Sequence, residues 1–179
     1  MRNNMKIYAV IDTNVIISAM LSRHQDSATV RVLDYLYDRT IVPVYNDEIL
    51  EEYATVLRRP KFNFSESTIS ATLEAIKTGG VRSDRISCDE LLPDPKDIVF
   101  YEVALSVEDS YLVTGNIKHF PKKPFIVSPA EMGKSSANRR GCTENNAEES
   151  FEISLVVILS LRLLRHPRQS SSASGAGGC

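Results

Sequence analysis

Asp12 and Asn14 stand directly after one apolar run and directly before another, in VIDTNVII. Further along, Glu48, Glu51 and Glu52 follow a second apolar run, Asp94 and Asp97 flank Pro95 and Lys96, and Thr114, Gly115 and Asn116 close a third run, in YLVTGN. These side chains offer mainly hard oxygen donors. Carboxylates gathered in one cleft repel, raise each other's pKa and weaken the fold unless a cation sits among them. A hard divalent ion, Mg²⁺ or Mn²⁺, is the simplest such cation, because it is held by few carboxylates together with waters and a substrate phosphate. Each residue also has a plainer role open to it. Asp12 can cap a helix, Asp97 can answer a helix dipole, Glu52 can be a solvated helix position, and Asn116 can be a turn residue.

The elements that must carry these groups alternate. Lys6 to Ile11, Ile41 to Tyr45, Tyr111 to Thr114 and Phe125 to Val127 are short apolar runs rich in β-branched and aromatic residues and read as strands. Between them, Val15–Leu21, Ser27–Tyr37, a stretch capped by Asn46 or Asp47 and closed by Pro60, and Ser65–Lys77 have helical spacing. Asp94-Pro95-Lys96-Asp97 is the strongest helix start, with Asp94 at the N-cap, Pro95 at N1 and Asp97 at N3. Alternation of this kind predicts an α/β fold with a mainly parallel sheet, whose ligands bind outside the carboxyl ends of the strands. Asp12 and Asn116 both fall there.

The chain has 179 residues and a formal net charge of −2, so one domain is expected and no broad positive field draws in polyanions. Nucleic-acid contact must use local patches. Three widely spaced cysteines with no CxxC pair, and an N-terminus without a long apolar core, point to the cytoplasm. Residues 1 to 132 hold 15 Lys+Arg and 19 Asp+Glu, and residues 133 to 179 hold 6 and 4, so an acidic body precedes a basic tail. Ser128-Pro129-Ala130-Glu131 is a capping box that starts a helix, and Gly133 is expected to end it within a turn. From there the composition turns to Ser, Asn, Arg and Gly, with an isolated apolar run from Ile153 to Leu164 that is too short to span a bilayer. The expected division is a domain over 1–132 and an atypical tail over 133–179, disordered or not native to this fold.

The segments VIDTNVIIS, EILEEYATVL, LLPDPKDIVFYEVAL and YLVTGNIKHF, in this order and spacing, resemble the PIN-domain ribonucleases, specifically the bacterial toxin components of toxin–antitoxin pairs. The resemblance covers residues 6 to 132. It implies a three-layer α/β fold, a mainly parallel sheet of four to five strands flanked by helices, acting as a Mg²⁺- or Mn²⁺-dependent endoribonuclease. It places the metal-binding aspartate on Asp12, with Thr13 and Asn14 supporting its turn. The second acidic position falls on Glu52, with Glu51 as competitor, and the third on Asp97, with Asp94 nearby. The fourth, an Asp in many relatives, is Asn116 here, which keeps a carbonyl ligand but brings no charge. Thr114 matches the hydroxyl residue beside it. Metal held by Asp12, Asp97 and Asn116 would polarise a phosphodiester oxygen, while Glu52 positions or deprotonates a water. Asn14, Thr114, Arg58, Arg59, Lys118 and His119 are the expected substrate-positioning residues. Expected partners are RNA, an antitoxin protein and a second copy of the chain, with no membrane. Two competitors remain: a PIN-like scaffold that binds RNA or protein without cutting, motivated by Asn116, and a phosphatase with an aspartyl nucleophile, which wants a second Asp where Asn14 stands.

Overall fold

The computed structural model describes residues 6–140, the last six by backbone alone. Within them five strands form one sheet: β1 (Ile7–Ile11), β2 (Ile41–Tyr45), β3 (Val81–Arg82), β4 (Tyr111–Val113) and β5 (Ile126–Val127). All neighbours pair in parallel, in the order β3-β2-β1-β4-β5. The chain therefore leaves β1 toward one edge and later returns to build the other. This reversal puts the binding crevice of an open parallel sheet at the carboxyl ends of β1 and β4.

Among the described residues six helices flank the sheet: α1 (Thr13–Leu21), α2 (Ala28–Tyr37), α3 (Asp47–Leu57), α4 (Glu66–Gly79), α5 (Ile98–Leu105) and α6 (Pro129–Arg140). Their starts follow from side-chain caps. Ser27 accepts from the Val30 N–H, Asn46 from Ile49 and Ser65 from Thr68, each satisfying a donor that the first turn leaves unpaired. The core lies between layers. β1 and β4 bury Val10, Ile11, Leu112 and Val113 against Ile16, Ile49, Tyr53, Phe100 and Val103, all 2% exposed or less.

Three features depart from the sequence reading. β3 was not foreseen; it is two exposed residues paired as Val44 with Val81 and Tyr45 with Arg82. It begins where α4 runs into Gly80, at which a Cβ would come within 2.5 Å of the Pro43 carbonyl, so only glycine lets the chain approach β2 this closely. Asp97 is not inside an α-helix. It closes a 3₁₀ turn, Pro95–Asp97, on which α5 begins at Ile98. Finally, α6 does not stop at Gly133 but continues to Arg140. The capping box forms as expected, with Ser128 Oγ and N both donating to Glu131, and Met132 is fully buried. Together these outweigh the cost of about 1 kcal/mol that one glycine imposes on a helix. The apolar run Ile153–Leu164 lies outside the described residues, and among those described no helix is long and apolar enough to cross a membrane.

Candidate active site

Asp12 is the first residue beyond β1, and its own N–H continues the ladder by donating to the Val113 carbonyl of β4 at 2.9 Å. Its side chain caps α1. Oδ1 accepts from the Asn14 N–H, while Oδ2 accepts from Asn14 Nδ2 and, at 2.7 Å, from Thr114 Oγ1. Asn14 reaches both strands, because its Oδ1 also accepts from the Gly115 N–H at 3.0 Å. The bland role of Asp12 as a helix cap and its role as a site carboxylate are thus compatible.

Helix α3 grips the same turn from the other side with two consecutive residues. Thr13 Oγ1 donates to Glu52 Oε1 at 2.7 Å, and the buried Tyr53 hydroxyl donates to the Ile11 carbonyl. The residues on either side of Asp12 are therefore both held by α3. Of the two acidic candidates on this helix, the one that meets the turn is Glu52; Glu51 is exposed.

Burial pushes the Asp12 carboxyl above the usual aspartate range; hydrogen bonds from Thr114 and Asn14 pull it back, and the charges of Asp97 and Glu52 push it up again. The charged groups acting on Asp12 are thus both negative. Burial likewise raises Asp97, opposed by a hydrogen bond from His119, whose Nδ1 lies 3.0 Å from Asp97 Oδ2. The Tyr53 phenol is driven well above its ordinary value of 10.0 by burial and then by Asp12 and Glu52.

Asp12, Asn14, Glu52 and Thr114 form one contiguous cluster, and Asp97 couples to it by charge. Asn116 lies at its rim, exposed, with its N–H donating to Thr114 Oγ1 at 2.9 Å. Lys118 is exposed in the 3₁₀ turn Ile117–His119 that follows. Arg58 and Arg59 stand apart. Arg58 lies about 9 Å further along α3 than Glu52 and about 120° around it. Its guanidinium already forms a two-pronged pair with Glu66 of α4. Arg59 precedes the 3₁₀ turn Pro60–Phe62 and is exposed.

One device escaped the sequence reading. Residues 83–94 cross the surface without regular structure, yet deliver Asp94 and Asp97 to the crevice. Glu102 of α5, 5% exposed, fastens them: its Oε2 accepts from Arg85 Nε at 2.6 Å and its Oε1 from the Cys88 N–H at 3.1 Å. Arg85 reaches on to Glu48, and Glu90 pairs with Lys123. A charged residue at a buried position of an otherwise apolar helix was the available signal.

Among the described residues, no three His, Cys, Asp or Glu side chains are clustered as a closed metal cage. The donor set nonetheless fits a hard ion held by one or two carboxylates plus water, since Asp12 is buried and, among the described residues, the charges that act on it are those of Asp97 and Glu52. A parallel α/β sheet with acidic side chains gathered at the carboxyl ends of its two middle strands is the class of fold and site that the chain presents. The family model described as PIN domain matches residues 8–118, and the chain belongs to that family. PIN domains are typically nucleases and generally use divalent metal ions. Comparison with curated proteins and with solved structures returns no match.

Proposed function

We propose that this chain is a Mg²⁺- or Mn²⁺-dependent endoribonuclease that hydrolyses RNA phosphodiester bonds, acting in the cytoplasm as the toxin of a toxin–antitoxin pair. The observation that carries the catalytic part is the buried Asp12 carboxylate, facing the charges of Asp97 and Glu52 at the mouth of the parallel sheet. Asp12 and Asp97 would hold the ion, with the Asn116 carbonyl as a neutral third donor. When bound, the ion supplies a Lewis acid for the phosphate and a more acidic water. Asp12 is kept in place by Thr114 and Asn14, and Glu52, which accepts from Thr13, would orient an attacking water or take its proton. Lys118 stands on the exposed turn past Asn116, where it can meet the RNA backbone. Arg59 remains a candidate for the same work at the far end of α3, whereas the charge of Arg58 is engaged by Glu66. An antitoxin protein and a second copy of the chain are the proposed protein partners.

Cleavage of structured RNA in Mg²⁺ or Mn²⁺ by the parent and by Asp12→Asn tests this. The expected result is a loss of about 100-fold or more in the variant, the scale that positioned proton transfer contributes; equal cleavage by both refutes it. The neutral Asn116 favours one other reading, a PIN scaffold that binds RNA or protein without cutting. Absence of Mn²⁺ binding at millimolar concentration would decide for that reading.

A further inference from the structure

The turn that follows β4 touches both carboxylates assigned to the ion. Thr114 Oγ1 donates to Asp12 Oδ2 at 2.7 Å, and five positions later His119 Nδ1 meets Asp97 Oδ2 at 3.0 Å. Between these contacts the turn is tied to itself: the Asn116 N–H donates to Thr114 Oγ1, and the His119 N–H donates to the Asn116 carbonyl at 2.9 Å. Phe120, 6% exposed, then anchors it in the core. His119 is therefore presented from a segment fixed at both ends.

Asp97 needs such a partner. It begins α5, where an aspartate would ordinarily cap, yet its side chain makes no capping hydrogen bond; Asp94 caps the preceding turn instead, accepting from the Lys96 N–H at 3.0 Å. A half-buried carboxylate without a backbone donor is free to rotate unless something outside its own helix stops it. We infer that His119 is a positioning residue that fixes the Asp97 carboxylate relative to Asp12, leaving Asp97 Oδ1 for the ion; this rests on the metal-dependent nuclease reading. It differs from a role in contacting RNA phosphate, because the nitrogen used is the one that holds Asp97.

The contact is made through Nδ1, which sets a stereochemical test. Asn at 119 places its amide nitrogen near the position of Nδ1, whereas Gln places it nearer that of Nε2. The affinity for Mn²⁺ alone, read from the electron-paramagnetic-resonance signal of the free ion, is measured for the full chain and for His119→Ala, His119→Gln, His119→Asn and Asp12→Asn. Metal-free thermal melts show that each is folded. Binding about tenfold or more weaker is expected for His119→Ala and His119→Gln, the scale found when a ligand loses its orienting partner, with His119→Asn close to the parent. If Asn serves no better than Gln, or if all three bind as the parent does, the inference is overturned. Asp12→Asn binding as tightly as the parent overturns the nuclease reading and the inference together. Weak binding by Asp12→Asn beside unchanged His119 variants overturns the inference alone.

Discussion

Thr114 Oγ1 donates to Asp12 Oδ2 at 2.7 Å across 102 positions of sequence, and both residues are buried. The same hydroxyl oxygen accepts from the Asn116 N–H. One side chain thus joins the ends of the two central strands and sets the orientation of a buried acid.

Thr114→Val keeps the shape and removes both bonds. A buried carboxylate that loses a donor is destabilised by about 2 kcal/mol, the scale of a hydrogen bond to a charged group. Urea unfolding should show a lower midpoint with an unchanged slope, since the surface exposed on unfolding is the same. A midpoint equal to the parent's would mean that Thr114 only fills space.

Asp12 makes stability depend on pH with a definite sign. Its native pKa lies above the ordinary 3.8, burial being the main cause, so its contribution is fully present below that value and is lost as pH rises through the native pKa. Asp12→Asn cannot ionise. In metal-free buffer, the stability of the variant minus that of the parent should therefore increase between pH 3.5 and pH 7, which thermal melts across that range would reveal. A flat difference would show that the carboxylate is not strained. Mn²⁺ at 100 times its dissociation constant should then stabilise the parent by about 2.7 kcal/mol and leave the variant unmoved.

Arg85 and Glu102 should respond unequally to substitution. Arg85→Ala leaves a buried carboxylate with the Cys88 N–H as its remaining described donor, and breaking a buried pair from this side costs about 3 kcal/mol. Glu102→Gln removes the charge but keeps the volume, and the partly exposed Arg85 finds water and Glu48, so about 1 kcal/mol is expected. Chemical denaturation of both variants checks the order. If Glu102→Gln proves the costlier, an unpaired Glu102 charge is not what sets the cost of breaking this pair.

Much of this was readable along the chain because it depends on neighbours in sequence. Ser27, Asn46, Ser65 and Ser128 cap the helices they precede, since a cap needs only its own first turn. Four of the five strands stand out as buried apolar runs. β3 does not, because two exposed residues carry no periodicity and pair only where Gly80 lets the chain meet β2. α6 runs past Gly133 because the burial of Met132, which no local pattern shows, offsets the local penalty of a glycine.

The four acidic and amide segments, their order and the alternation of strands with helices were determined by the sequence alone, because residue type and spacing dictate which end of a strand each group occupies. Tertiary structure decided which of them meet. It put Glu52 rather than Glu51 against Thr13, gave Asp97 to His119, took Arg58 away to Glu66, and fastened residues 83–94 through Glu102. Those choices depend on helix rotation and on burial, which arise when distant segments pack and solvent is excluded, and no local pattern encodes them.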